Sequence, residues 1–264
     1  MRQTGNREVI APTAIIHSGA RIGERVSIGP YSIIGEHVEI DTGTWIGPHV
    51  VINGHTQIGK DNKIFQFSSL GEVPQDKKYN GEPTRLEIGD RNVIREFCTF
   101  NCGTAQDAGT TRLGNDNWIM AYVHLAHDCQ VGDNTIFANN AQLAGHVHIG
   151  DYAILGGFTG VHQFCHVGAH SITAVGSVVL KDIPPYVTAA GNTAKPHGIN
   201  TEGLKRRGFS PAALTNIKRA YKTLYRAGLT LEEAGRILAE QSHACPEIQA
   251  LIDFLAQSSR GIIR

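Results

Sequence analysis

Cysteine is scarce in this sequence of 264 residues: Cys98, Cys102, Cys129, Cys165 and Cys245 are odd in number and include no C-x-x-C pair. That argues against a disulfide framework and predicts reduced thiols in a cytoplasmic protein. No stretch approaches the roughly 20 apolar residues of a membrane span. The opening MRQTGNREVIAPTAII holds charge and proline but no apolar run, so no secretory signal is expected. Charge of one sign is missing too. Lys plus Arg and Asp plus Glu both total 24, so no global field draws nucleic acid or an anionic membrane. Aromatics make up only 7%, which leaves a core of aliphatic side chains. With 41% hydrophobic and 18% charged residues the chain is nonetheless a folded one, sized for one large domain or two small ones.

What is abundant is glycine, at 30 residues, and a period of six. Every sixth residue from Ile10 through Ile64 is Ile, and Leu70 extends the run to eleven apolar hits. Chance gives this roughly a few times in a hundred thousand per register, so a repeat architecture precedes any other reading. The period resumes with Ile88, Ile94 and Phe100, and again from Leu113 to Val179, where only Thr173 is not apolar. A period of six fits neither a helix nor simple alternation. It fits a short strand and a turn, repeated.

Gly follows the apolar residue at positions 23, 29, 35, 47 and 59, where a corner is expected to need unusual backbone angles. Val26, Ser32, Val38, Thr44, Val50 and Thr56, four places after it, suit an inward position with little space. The pattern predicts an all-β solenoid, a parallel β-helix with three hexads per triangular coil. The repeat positions make roughly nine coils, stacked at about 4.8 Å. Periodicity does not set the handedness.

Two polar segments, Gly71–Arg85 and Asn101–Arg112, interrupt the lattice and are expected to leave it as loops, where function tends to sit. Residues 1–191 thus read as the β-helix with these insertions, and 192–264 as a connection and a small α-helical domain. In the latter, Ser210–Pro211 opens one helix, Gly228 ends it, Thr230 with Glu233 reads as a capping box, and Pro246 opens a third helix. Lys205, Arg206, Arg207, Lys218, Arg219, Lys222 and Arg226 form a local basic patch.

Of 13 histidines, seven fall between His124 and His170. Residues 18 apart stack, so His127, Gly145 and Gln163 form one column, Asp128 and His146 the next, and Ala126, Ala144 and His162 the one before. His124, His127, His146, His162 and Gln163 should share a face within roughly 10–12 Å. Two chemistries suit it. Neutral imidazoles could bind zinc, shared between chains. Alternatively one His deprotonates a hydroxyl, Asp128 orients it, and a backbone N–H, with Gly145 offering no obstructing side chain, receives an oxyanion. A nucleophilic route has less support: there is no G-x-S-x-G, and Cys129 and Cys165 read as buried thiols.

The segments QDKKYNGEPTR (75–85), HLAHDC (124–129), LAGHV (143–147), GVHQFC (160–165), GNTAKPHGIN (191–200) and EGLKRRGF (202–209) resemble the UDP-N-acetylglucosamine acyltransferase family of lipid A biosynthesis, and the resemblance spans essentially the whole chain. It implies a left-handed β-helix, a homotrimer with sites between subunits, no cofactor and no metal. It also implies transfer of an (R)-3-hydroxyacyl group from acyl carrier protein to the glucosamine 3-hydroxyl of UDP-N-acetylglucosamine. By resemblance His127 is the general base, Asp128 its support and Gly145 the oxyanion donor. His124, His146, His162 and Gln163 line the cleft, and Asp76 and Lys78 hold sugar and phosphate from the neighbouring chain. Asn200, Glu202, Arg206 and Arg207 meet the uridine diphosphate, and the basic helices suit the acidic carrier protein. Thr193 stands where some relatives have His, so a nucleobase contact is expected to differ. Val175 stands where long-chain relatives have Gly, which predicts a donor shorter than about fourteen carbons.

Three other readings compete. A related N-acyltransferase has an extra N-terminal domain, for which the hexads beginning at Ile10 leave no room. A zinc carbonic anhydrase on the same fold needs three His around one metal. A non-catalytic scaffold predicts no acyl transfer.

Overall fold

The computed structural model describes residues 9–243 and 245–264. The first eight residues of the segment read as leaderless, and assigned to the repeat domain, lie outside them. From Ile15 onward, strands mostly of two residues wind a left-handed parallel β-helix, and each strand pairs with the one three further along the chain until the last coil, where Ile172–Thr173 pairs with Val187–Ala190. Three sheets of nine, eight and ten strands form the faces of the prism among the described residues. Backbone hydrogen bonds tie coil to coil, as in Ile33 N–H to Val50 C=O and Gly35 N–H to Ile52 C=O, both 2.8 Å.

The hexad residue points inward as its pattern requires: Ile28, Ile34, Ile46, Ile52, Ile64 and Leu70 are buried, and so are the small residues four places on, Val26 to Thr56. Thr173 is buried like its apolar equivalents, and its hydroxyl bonds Gly156 N–H at 2.9 Å and the Thr159 hydroxyl at 2.8 Å. The polar atom inside an apolar column is thereby satisfied. A second internal device is an amide ladder. Asn62, Asn92 and Asn117 stack in successive coils, each side-chain oxygen accepting from the next coil.

The corners correct the expectation for glycine. The left-handed backbone lies not at the Gly after the apolar residue but two places later, where Arg25, Tyr31, His49, Phe67, Asp128, His146 and Phe164 have φ from 55 to 64°. Gly29 and its equivalents have ordinary φ. A Cβ on Gly29 would stand 2.6 Å from both Gly47 C and Pro48 N of the next coil. Glycine there is a requirement of coil stacking. The bulky residues at the corners carry a conformational cost of about 1–2 kcal/mol each, offset in part where their rings stack. Tyr31, His49, Phe67, Phe97 and Tyr122 form one such column, with centroids 4.8–5.3 Å apart.

The excursions are narrower than the sequence reading placed them. Strands cover Ser69–Glu72, Arg85–Ile88 and Thr110–Leu113, so Arg85 and Thr110–Arg112 stay in the lattice and the loops span 73–84 and 102–109. After Val187–Ala190, the strand Lys195–Ile199 turns back antiparallel where a polar connection was expected. Helices α1 (Thr201–Arg206), α2 (Pro211–Arg226), α3 (Leu231–Ser242) and α4 (Gln249–Gln257) follow. Ser210 caps α2, and Thr230 with Glu233 forms the capping box of α3. The C-terminus returns to the prism: Asp182 Oδ2 accepts from the Ser258 hydroxyl at 2.6 Å, and Ile263 N–H donates to Asp182 C=O at 2.9 Å.

The two kinds of position separate under mutation. Replacing Gly by Ala normally stabilises a compatible site by about 0.4–1 kcal/mol. Gly29→Ala is expected to destabilise instead by about 1–3 kcal/mol, as overpacking does. Arg25→Gly should be near neutral, because relief at positive φ opposes the entropy of glycine. Thermal unfolding of both variants checks this, and a stabilised Gly29→Ala would overturn the packing argument.

Candidate active site

One corner of the prism collects the candidate residues. The strands His124–Leu125, Gln142–Leu143 and Gly160–Val161 stack in register, and each is followed by a turn that places Asp128, His146 and Phe164 at the left-handed position. The Phe164 ring stacks on His146 at 4.3 Å, and His146 meets His127 edge-on at 4.9 Å. The hexad spacing therefore acts directly on the chemistry, because one column of corner residues supplies a carboxylate, an imidazole and an aromatic platform.

Asp128 is the centre of the arrangement. It is buried, yet its carboxylate accepts from Thr104 N–H at 2.9 Å, from the Thr104 hydroxyl at 2.6 Å and from His127 Nδ1 at 3.0 Å. Burial opposes its ionisation, but the His127 and Thr104 hydrogen bonds outweigh burial and hold it below the usual carboxylate range. An ionised carboxylate only accepts, so His127 Nδ1 carries the proton of the neutral ring and Nε2 keeps a free lone pair. The ring lies over Gly145: a Cβ there would be 2.5 Å from His127 Cε1 and 2.6 Å from Nε2. Gly145 N–H donates to no acceptor among the described residues. The equivalent positions hold Pro30 and Pro48, so this is the lattice amide that coil stacking leaves unused.

His124 stands beside the pair, with its Nδ1 2.8 Å from the Thr99 hydroxyl; burial lowers its pKa, with the Thr99 contact opposing. His162 and Gln163 lie two coils beyond His124 and His127 and are exposed, with His162 Nδ1 at 3.1 Å from Gln163 C=O. Among the described residues, the group whose ligand atoms converge is His127, Asp128 and His146, all within 4.8 Å. His124, the partner that the zinc reading needs, is not in it. Cys129 and Cys165 are buried free thiols, pushed up to about 12 and about 11 by burial, which removes them as nucleophiles.

The other sequence candidates are spread across the molecule. Asp76 Oδ1 accepts from Lys78 N–H at 3.0 Å inside its own loop, and Lys78 is exposed; neither touches the His127 group. Asn200 is buried and structurally engaged: its Oδ1 caps α1 through Gly203 N–H, and its Nδ2 donates to His170 C=O. Glu202 pairs with Lys205 at 2.9 Å, and Arg206 is exposed. Arg207 is not on an exposed basic face. Its Nη2 donates to Tyr152 C=O at 2.9 Å and its guanidinium covers the Tyr152 ring, while Nη1 is buried without a partner. Burial and then the Arg207 charge push the neighbouring His170 down to about 4, with Asp151 opposing. Val175 is 76% exposed.

Column counting did not find Thr104 and Asp107. Both lie in the 102–109 loop, where the 18-residue rule does not apply. Thr104 bonds Asp128, and Asp107 Oδ2 lies 2.6 Å from His146 Nδ1.

The depressed pKa of Asp128 has a stability consequence. Its contribution is fully present above the unfolded value, about pH 4, and is lost as pH falls through the lower folded value. Asp128→Asn keeps a residue tolerant of positive φ and removes that ionisation. Denaturant unfolding should show the variant less stable at pH 7, with the deficit shrinking toward pH 3. A deficit independent of pH would contradict an ionised, bonded Asp128.

Comparison with known proteins places this geometry. The family described as UDP N-acetylglucosamine O-acyltransferase, domain 2, matches residues 182–263, and the bacterial transferase hexapeptide (six repeats) matches 110–145. The acyl-[acyl-carrier-protein]–UDP-N-acetylglucosamine O-acyltransferase of Thiobacillus denitrificans is 70% identical over 97% of this chain and 99% of that protein. Its namesake in Janthinobacterium is 63% identical over 97% and 99%. Among solved structures, LpxA from Acinetobacter baumannii superposes with a TM-score of 0.95 at 50% identity, over 97% of this chain and 100% of that one. The Francisella novicida UDP-N-acetylglucosamine acyltransferase gives 0.95 at 45%, over 97% and 94%. With likeness of this degree along both chains, the protein is an acyltransferase and belongs to the UDP-N-acetylglucosamine O-acyltransferase family.

Proposed function

We propose that this chain transfers an (R)-3-hydroxyacyl group from acyl carrier protein to the 3-hydroxyl of UDP-N-acetylglucosamine, the first step of lipid A biosynthesis, with His127 as general base. The observation that carries the catalytic assignment is the Asp128–His127 pair over Gly145. His127 Nε2 takes the proton of the sugar hydroxyl as its oxygen attacks the thioester carbonyl. Asp128, bonded to Nδ1, holds the ring and balances the imidazolium that forms. The unused Gly145 N–H donates to the oxyanion. Collapse forms the ester, breaks the carbon–sulfur bond, and returns the proton from His127 to the departing thiolate. Proton and electron pairs balance with no cofactor.

His124, His146, His162 and Gln163 border this centre and are assigned to sugar and acyl contacts. Asp76 and Lys78 engage only their own loop in one chain, and the exposed Val175 can limit an acyl chain only if something covers it. Both assignments rest on the homotrimer that the family resemblance implies, in which a neighbouring subunit completes each site. Arg206 and Arg207 are assigned to the diphosphate. The orphaned Arg207 Nη1 is a donor suited to a phosphate oxygen. Asn200 would act there by setting the start of α1, with Glu202 in its first turn facing the nucleoside. The exposed Lys218, Arg219, Lys222 and Arg226 on α2 suit an acidic carrier protein. No helix among the described residues is long and apolar enough to cross a membrane; the cytoplasmic assignment rests on the carrier-protein donor alone.

Acyl transfer from a ladder of (R)-3-hydroxyacyl carrier proteins to UDP-N-acetylglucosamine tests the reading. Native protein should form the 3-O-ester, and His127→Ala should lose about 10²–10⁴-fold in rate. Transfer only to a 3-amino sugar would reassign the acceptor, and unchanged turnover by His127→Ala would remove the base.

The same ladder tests the length limit. The preferred donor should be shorter than about fourteen carbons, and Val175→Gly should shift it toward longer chains. Fastest turnover by native protein with the fourteen-carbon donor would refute the assignment of Val175.

A further inference from the structure

The carboxylate of Asp107 comes from the tip of the 102–109 loop, and Oδ2 lies 2.6 Å from His146 Nδ1. That same nitrogen is only 3.8 Å from Asp128 Oδ2, the oxygen bonded by His127 Nδ1 at 3.0 Å and by the Thr104 hydroxyl at 2.6 Å. Two imidazoles therefore face one buried carboxylate oxygen that already accepts three hydrogen bonds, the third a longer arm of the Thr104 N–H at 3.1 Å. An Nδ1–H on His146 without another acceptor would turn to Asp128 and weaken the bond that orients His127. The loop resolves the competition from both ends. Thr104 bonds Asp128 while Asp107 takes His146, and Asp107 N–H closes the turn between them on Thr104 C=O at 3.3 Å.

We propose that Asp107 is a positioning residue of the acyltransferase site: it holds His146 Nδ1 away from Asp128 and so reserves that carboxylate for His127. With Nδ1 as the donor to Asp107, the neutral His146 ring presents Nε2 as an acceptor for a substrate hydroxyl or amide N–H. The ring plane is set independently by Phe164, stacked at 4.3 Å with 7° between planes. The 102–109 loop thus helps build the site rather than decorating the prism. Its effect on rate rests on the acyl-transfer reading above; its effect on the imidazoles does not.

The titratable groups facing His146 are Asp107 from the loop and Asp128 and His127 from the coil before. His148 on the following strand is near enough to feel Asp107 and His146. Asp107→Ala releases His146 to share Asp128. Loss of a group that orients a catalytic histidine is expected to lower kcat about 10–100-fold, with a smaller change in KM. Asp107→Asn keeps an acceptor at the same reach and should recover most of the rate. In a His146→Asn background, suited to positive φ, Asp107→Ala should have little further effect, whereas a purely structural loop residue would add its loss.

The decisive readout needs no substrate. In 15N-labelled full-length protein, the imidazole resonances of His146 and His127 should both move in Asp107→Ala and return toward native in Asp107→Asn. If native protein transfers acyl groups normally while Asp107→Ala leaves these resonances unchanged, the inference is overturned. If native protein transfers no acyl group to either sugar but the resonances respond, the acyl-transfer reading fails and the positioning role stands.

Discussion

Every feature of this molecule depends on the hydrogen-bonded ladder that holds one 18-residue coil on the next. Because each strand pairs in parallel with the strand one coil away, any residue stands above the residue 18 earlier wherever no loop intervenes. The interior becomes columns of Ile, Leu and Val. The corners become columns of stacked rings, and the outward faces become rows of side chains at strand spacing. Glycine serves this ladder by letting backbone pass close to backbone, as Gly29 does against Gly47 and Pro48. The left-handed corners, held mostly by non-glycine residues, are where the scaffold accepts conformational cost in exchange for closure.

The site draws on that cost. Asp128 and His146 are corner residues in neighbouring coils, so their side chains leave the prism in the same direction and converge. A buried carboxylate is stable only if its oxygens are satisfied. Here the donors come from the neighbouring His127 and from a loop that leaves the lattice one coil earlier. The price of burying Asp128 thus organises the centre: the same bonds that keep it ionised fix the His127 ring and assign its proton to Nδ1. Gly145 completes the arrangement by what it lacks, since any side chain there would occupy the imidazole's space.

The C-terminal part is joined to the prism by polar contacts at several points. Asp182 receives the Ser258 hydroxyl, the Tyr186 hydroxyl donates to Glu247 C=O at 2.9 Å, and Asn200 ties the start of α1 to His170 C=O. Arg207 follows from the end of α1 onto the Tyr152 ring, a corner residue of the prism. The helices are therefore seated on the last coils rather than hung from a flexible connection. The cations of α1 and α2 divide into those exposed along the helices and Arg207, which is drawn into the prism surface.

How much was legible follows from how local each cause is. The hexad is written in consecutive residues, so the coil, the inward columns, Thr173 as the exception, the helix caps at Ser210 and Thr230, and the stacking of His127 with Gly145 and of Asp128 with His146 could all be counted from sequence. Counting fails where the chain leaves the lattice. Thr104 and Asp107 reach Asp128 and His146 through a loop whose path no period describes. Asn200 reads as a polar ligand until its side chain is seen capping α1, and Arg207 reads as surface charge until Tyr152 is seen beneath it. Composition could not say whether a glycine answers to a dihedral or to a neighbour 18 residues away. The sequence by itself determined the β-helix and which columns hold the histidines, because a repeat imposes one geometry on every coil. Only the tertiary structure decided which nitrogen faces which carboxylate, because that depends on contacts between segments whose separation in the chain carries no period.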